Sequence, residues 1–259
     1  MSANLPPSRA SFRFYAELNE HLPPGERYCT FEKEFFVPAP VKDLIESAGV
    51  PHTEVELILV NGESSDFSRL IRDGDRVAVY PMFESLDITP ELRLRERALR
   101  QPKFVLDVHL GKLAGYLRML GFDALYDNRA SDHELVRISA EQNRILLTRD
   151  RGVLKHSAVT HGYWLRETDS RRQAAEVVAR FDLAGLMRPF TRCMSCNALL
   201  REASPAEVQG RIPLDVVERR DPVTECSVCQ HIYWQGSHYR RMRRWIEQLS
   251  AAATGARDL

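Results

Sequence analysis

The clearest chemical pattern in this 259-residue chain is a set of four cysteines in two pairs. Cys193 and Cys196 form one Cys-x-x-Cys pair, and Cys226 and Cys229 form the other. A single pair would also fit a redox dithiol, but two pairs can place four thiolates around one ion. We therefore predict a structural zinc site, with the 29 residues between the pairs forming an extended hairpin or loop.

Three aspartates are candidate ligands for a second, harder metal ion. Asp107 ends one predicted strand, Asp150 follows another, and Asp132 opens a helix that comes directly after a third. Because ligands bind at the carboxyl ends of parallel strands, we expect these carboxylates to converge. Oxygen ligands suit magnesium or manganese, which can activate water for attack on a phosphodiester. The pattern indicates nuclease chemistry, although Asp132 could instead stabilise the dipole of its helix.

The elements that would position these aspartates alternate between strands and helices from Lys103 onward. Amphipathic helices are predicted at 108–120, after a capping box that begins at Ser131, and at 170–181. This alternation predicts a parallel sheet covered on both faces. The short strands of that sheet are predicted at 103–107, 124–126, 144–148 and 162–165.

The residues before Pro90 have a different order of elements. Two strands, a helix and two further strands are predicted, at 11–18, 28–37, 41–48, 55–60 and 76–80. This order is typical of a β-grasp, ubiquitin-like domain. The segments 59–62 and 71–81 resemble the small sulfur carrier proteins of thiamine and molybdopterin synthesis, in fold alone. Those carriers end in Gly-Gly, which residues 81–86 lack, so sulfur transfer is not expected.

Charge is distributed unevenly along the chain, although the 36 basic and 36 acidic residues cancel in total. Residues 1–90 carry a net charge of −7 and residues 91–259 a net charge of +7. The basic part favours a polyanionic partner or a solvated surface. No apolar run approaches the ~20 residues of a membrane span, and the N-terminus lacks the apolar core of a signal peptide. We therefore expect a cytoplasmic protein without a membrane segment.

A predicted amphipathic helix at 237–250 concentrates part of this positive charge. Four arginines crowd its start, where the helix dipole disfavours cations, so RNA or solvent is expected to face them. Tyr233, Trp234 and Tyr239 lie nearby in sequence and could stack on bases. The residues we expect to contact RNA phosphates are Lys112, Arg118, Arg149, Arg240 and Arg241.

Several motifs together resemble the Mut-seven C-terminal RNase family. They are residues 104–123, the pair Ser131-Asp132, the run 145–150, and the two cysteine pairs followed by residues 233–238. The resemblance implies a PIN-like nuclease domain with a zinc ribbon, and RNA hydrolysis. It matches Asp107 to the first acid of that nuclease site, Asp132 to the acid that opens the second helix and Asp150 to the acid of the Thr-Arg-Asp motif. PIN nucleases usually have a fourth acid, and three residues are candidates for it: Asp123, Asp127 and Glu134.

The resemblance divides the α/β chain into successive parts. These are a ubiquitin-like β-grasp domain at 1–90, a linker at 91–101, a PIN-like domain with a parallel sheet at 102–188, a zinc ribbon at 189–238 and a basic helix at 239–252. The leading hypothesis is a metal-dependent ribonuclease that binds RNA through its basic part. The alternative is a non-catalytic RNA-binding or ribosome-associated adaptor, and in either case the β-grasp domain could bind a protein partner.

Overall fold

The computed structural model describes residues 7–81, 102–204, 206–219 and 221–255. They form two compact units: the first contains residues 7–81 and 150–163, and the second contains residues 102–149 and the described residues from 164 onward. The predicted linker at 91–101 lies outside the described residues. None of the described helices is both long and apolar enough to span a membrane. The domain boundaries at 188 and 238 stay predictions.

The first unit is built on a five-stranded sheet with the order β2-β1-β7-β4-β5. Its two central strands, β1 and β7, are parallel, and the other pairs are antiparallel. Helix α1 follows the second long strand, and Phe12, Ile45 and Ile58 are fully buried in the core. The β-grasp prediction is therefore confirmed. The elements are β1 (Ser8–Phe14), β2 (Phe31–Phe35), β3 (Ala39–Pro40), α1 (Val41–Ser47), β4 (Val55–Val60), β5 (Glu63–Ser65), β6 (Leu70–Ile71) and β7 (Arg76–Pro81).

The first predicted strand, 11–18, is wrong at both ends. Strand β1 starts at Ser8 and ends at Phe14, and a 3-10 helix covers Ala16–His21. The cause is Asn19, whose buried amide donates to the carbonyl oxygens of Phe14 (2.9 Å) and Ala16 (2.9 Å). Such local side-chain hydrogen bonds compete with a continuing strand.

The predicted parallel sheet has the order β11-β10-β8-β9 and lies in the second unit, except that residues 162–163 of β11 belong to the first. Strand β8 lies between β10 and β9 and is parallel to both. Helix α2 packs against α5, and Leu113, Leu117 and Val177 are fully buried. The strands are β8 (Lys103–Leu106), β9 (Asp123–Tyr126), β10 (Ile145–Thr148) and β11 (Gly162–Trp164), and the helices of this unit are α2 (Gly111–Met119), α3 (Asp132–Gln142) and α5 (Ser170–Arg180). Helix α4 (Arg151–Leu154) lies in the segment that belongs to the first unit.

The cysteine-rich part of the second unit has its own antiparallel sheet, in the order β12-β13-β14. The 29 residues between the cysteine pairs contain a short helix and two of these strands, not a simple loop. Val208, Val216 and Val223 form a small core there. The elements are β12 (Leu200–Ala203), α6 (Leu214–Arg219), β13 (Val223–Cys226), β14 (Ile232–Trp234) and a long final helix, α7 (Ser237–Gly255).

Residues 150–163 are joined to the first unit by side-chain hydrogen bonds. Arg151 donates to the carbonyl oxygen of His21 (3.1 Å), and Lys155 donates to that of Glu46 (2.7 Å) at the end of α1. His52 lies 2.9 Å from the carbonyl oxygen of Val159. Alternation of strands and helices in the sequence gives no sign of this arrangement.

Gly121 provides a test of the packing in the second unit. Its φ is +97°, and a Cβ atom there would lie 2.2 Å from the carbonyl oxygen of Arg188. We expect Gly121→Ala to lower the free energy of unfolding by at least ~2 kcal/mol, measured by urea denaturation of the full chain. In the matched control Gly115→Ala, the new methyl group meets nothing within 4 Å, and a small gain in stability is expected. Equal stability of the two variants would contradict the assigned packing.

Candidate functional site

The four cysteines form one cluster. Their sulfur atoms all lie within 4.8 Å of one another, and the closest pairs are Cys193–Cys229 at 3.4 Å and Cys196–Cys226 at 3.3 Å. In a tetrahedral site with sulfur–zinc distances of ~2.3 Å, the sulfur atoms are about 3.8 Å from one another. The distances in the cluster are close to this value, so the four sulfurs fit a zinc ion. The cysteine prediction is confirmed to this extent: the four thiols can hold a metal ion.

Both Cys-x-x-Cys loops have the same backbone geometry. Asn197 and Gln230 each directly follow the second cysteine of a pair and have a positive φ, 72° and 60°. Their amides donate to the carbonyl oxygens of Cys193 and Cys226, both at 2.9 Å. The left-handed residue turns the chain back, so that both cysteines of a pair can face the same point.

The thiols of the cluster differ in acidity. Burial raises the pKa of Cys193, but the hydrogen bond with the Tyr233 hydroxyl at 3.2 Å, with others, outweighs it and lowers the pKa to about 6. For Cys229 the backbone amide of His231 lowers the pKa, but burial and bonds with neighbouring sulfurs raise it to about 12. A bound cation would favour the thiolate form of all four cysteines, because metal ligation deprotonates thiols.

Arg118 joins the first cysteine loop to the parallel sheet. Its guanidinium donates to the carbonyl oxygens of Ala124 (2.9 Å), Met194 (3.1 Å) and Ser195 (2.7 Å). Only 5% of the residue is exposed. The expectation that Arg118 contacts RNA phosphate is therefore corrected: its donors are used inside the protein.

Asp107 lies at the carboxyl end of the central strand β8. In the parallel pair of β8 and β10, Leu106 is opposite Leu147, so Asp107 comes next to Thr148. The amide of Asp107 donates to the carbonyl oxygen of Leu147 (3.0 Å), and the Thr148 hydroxyl donates to the Asp107 carboxylate (2.6 Å). Asp107 is 9% exposed, so this carboxylate is largely withdrawn from water. Thr148 was not among the predicted site residues, although it directly precedes Arg149-Asp150 in the sequence.

The other two predicted ligands are exposed residues at helix starts. Asp132 is the first residue of α3, and Asp150 precedes α4 and accepts a hydrogen bond from the amide of Gly152 (2.7 Å). We searched the described residues for groups of at least three cysteine, histidine or acidic side chains whose ligand atoms lie within 4.8 Å of one another. The cysteine cluster is the one such group among them. The three aspartates therefore stay predicted ligands and do not form such a close group here.

The three candidates for a fourth acid have different environments. Asp123 is at the amino end of β9, where Arg144 (2.8 Å) and Asn197 (2.8 Å) donate to it. Burial raises its pKa, but these two donors outweigh burial and lower it. Glu134 completes the capping box: the amide and hydroxyl of Ser131 donate to it and lower its pKa. Asp127 follows β9 at its carboxyl end, so it alone of the three lies at the end of a strand where ligands are expected.

The remaining predicted RNA contacts are on the surface. Lys112 on α2, Arg149 after β10, and Arg240 and Arg241 on α7 all have exposed side chains. Among the described residues, Arg240 and Arg241 have no acidic partner, so they keep their full charge toward solvent. These four stay predicted RNA contacts.

Two family models match the chain. The Mut7-C RNAse domain matches residues 102–246, and the Mut7-C ubiquitin domain matches residues 8–87. The comparisons with curated proteins and with solved structures gave no match. Along the chain, the ubiquitin match covers the first sheet and the RNase match covers the parallel sheet. The RNase match spans more than half of the sequence. The chain therefore belongs to the Mut7-C RNase domain family.

Proposed function

We propose that the protein is a metal-dependent ribonuclease that hydrolyses RNA phosphodiester bonds, with Asp107, Asp132 and Asp150 as ligands of magnesium or manganese. The observation that supports this most is the pairing of β8 with β10. This pairing puts the buried carboxylate of Asp107 beside Thr148, and Asp150 follows Thr148 by two residues. Asp107 and Thr148 lie in the region that matches an RNase family. A cation there would supply a water of lowered pKa and would stabilise charge on the phosphate.

Each of these residues has a distinct part in this proposal. The Thr148 hydroxyl orients the Asp107 carboxylate, because it occupies one of the carboxylate oxygens at 2.6 Å. Asp132 and Asp150 are exposed, so each carboxylate is accessible to an ion from solvent. Lys112 and Arg149 would attract the phosphates of the RNA through their charge. Parallel sheets usually bind ligands at the carboxyl ends of their strands, and Asp107 lies at such an end.

We also propose that the four cysteines hold a structural zinc ion in a cytoplasmic protein. A reducing compartment keeps thiols free for metal, and four sulfur ligands leave no position for a reacting water. The small core around Val208 and Val216 is too limited to hold this region without such a site.

The proposed activity is tested with Asp150→Asn. With manganese and a labelled single-stranded RNA, we expect the wild-type protein to cleave and Asp150→Asn to be at least about 100-fold slower, because a ligand charge is lost. The matched control is Asp43→Asn on α1, an exposed aspartate far from the proposed ligands in sequence, which should cleave at the wild-type rate. Equal cleavage by wild type and Asp150→Asn would contradict the proposal. Salt-sensitive RNA binding without any cleavage would favour the adaptor instead.

Thr148→Val tests how the Asp107 carboxylate is held. Valine has nearly the same shape but no hydroxyl, so the carboxylate loses its 2.6 Å donor. We expect the manganese concentration for half-maximal cleavage to rise about 10- to 100-fold, with zinc content unchanged. Thr148→Ser retains the hydroxyl and should restore the wild-type manganese dependence. An unchanged manganese dependence in Thr148→Val would show that this contact does not position the ligand.

Zinc content can be measured by elemental analysis. We expect about one zinc per chain in the wild type and in Asp107→Asn, and none in Cys226→Ser, which loses a buried ligand. Cys29→Ser is the matched control, because this cysteine lies outside the cluster. Zinc retained in Cys226→Ser, or lost in Asp107→Asn, would contradict the assignment.

A further inference from the structure

A groove of about 520 Å³ opens beside the cysteine cluster, within the second unit. It lies between strand β14, the start of helix α7 and the segment before the first cysteine pair. The groove has an unusual content of aromatic rings, supplemented by methionine side chains. Its rings are those of Phe190, His231, Tyr233, Trp234, His238 and Tyr239.

The rings are fixed in place by contacts inside the protein. The Tyr233 hydroxyl is hydrogen-bonded to Cys193 (3.2 Å), and the Tyr239 ring lies 4.5 Å from that of Phe190. Trp234 packs against the small core of the cysteine-rich region. Tyr233, Trp234 and Tyr239 are nevertheless half-buried and not fully buried, so part of each ring faces the groove. A ligand would pay little conformational entropy to order them.

The helix that borders the groove is strongly basic. From Ser237 to Gly255 it contains four arginines and one acidic residue, Glu247. The arginines line a second concavity of about 410 Å³ on the same helix. Arg243 pairs with Glu247 (3.1 Å), but among the described residues Arg240, Arg241 and Arg244 have no acidic partner. The two concavities have Ser237, the first residue of the helix, in common, so the aromatic groove and the basic face of the helix adjoin there.

We propose that this groove binds an unpaired base of single-stranded RNA, and that Arg240, Arg241 and Arg244 attract other phosphates of the same strand. The inference rests on the proposed function for the choice of RNA. Stacking on aromatic rings needs a base whose face is free, which a duplex does not offer, whereas arginines bind the backbone of any sequence. Six rings line the groove against three aliphatic side chains, those of Leu200, Pro222 and Ile232, and this content favours a base over an apolar peptide segment. The groove thus makes the enzyme selective for single strands without reading their sequence.

The test is a binding measurement on full-length Asp150→Asn without added magnesium or manganese, so that no cleavage is needed or possible. The probes are oligoadenylate, the same backbone with abasic sites, and an oligoadenylate–oligouridylate duplex. We expect the normal single strand to bind about 5- to 100-fold more tightly than the abasic strand. The duplex should bind more weakly than the single strand. These comparisons use one protein, so the result does not depend on the folding of a variant.

A substitution then assigns the effect to the groove. In Tyr239→Leu, leucine keeps apolar contact with Phe190 but removes the ring, so the difference between normal and abasic strands should shrink. In the matched control Tyr28→Leu, an exposed tyrosine of the first unit is replaced and the difference should stay. Zinc content and thermal unfolding show whether Tyr239→Leu is folded.

Three results would overturn the inference. They are equal affinity for normal and abasic strands, equal affinity for single strand and duplex, and competition by polyglutamate as strong as that by oligoadenylate, which would assign the surface to acidic protein segments. Failure of the proposed nuclease activity gives a different pattern. In that case base-dependent binding persists while the wild-type protein with manganese leaves RNA intact.

Discussion

A buried polar network joins the cysteine-rich region to the parallel sheet, and the second unit depends on it. Arg118 donates to three carbonyl oxygens, on Ala124 of strand β9 and on Met194 and Ser195 of the first cysteine loop. Asn197 continues the network, because it accepts from the amide of Ala124 and donates to Asp123. Arg144 pairs with the same Asp123 and donates to the carbonyl oxygen of Phe104 on β8. A buried cation is tolerated only when its donors are satisfied in this way.

This network accounts for what the sequence could and could not predict. Apolar periodicity and turn residues act locally, so β4 was predicted at its observed bounds and the capping box at Ser131 was confirmed. Arg118 was expected at the surface because a lone arginine on a helix usually is, and its acceptors Met194 and Ser195 lie more than 70 residues away. Contacts of that separation leave no trace in a local pattern.

The same limit applies to residues 150–163. Their strand and helix pattern continues that of the parallel sheet, yet they pack in the first unit through Arg151, Lys155 and Val159. The segment begins at Asp150, one of the proposed ligands. Directly after the Thr-Arg-Asp motif, Arg151 and Lys155 thus donate hydrogen bonds to carbonyl oxygens of the domain that matches the Mut7-C ubiquitin model.

The polar network also separates the cysteine cluster from Asp107, the buried ligand of the other proposed metal ion. It lies at the amino end of β9, where Asp123 serves the attachment of the cysteine loop. Asp107 lies at the opposite, carboxyl ends of the strands. A zinc ion with four sulfur ligands has no position left for water, so hydrolysis cannot be assigned to the cysteines. In the proposed function the oxygen ligands at the carboxyl ends supply it, and the proposed zinc ion stabilises the cysteine-rich region.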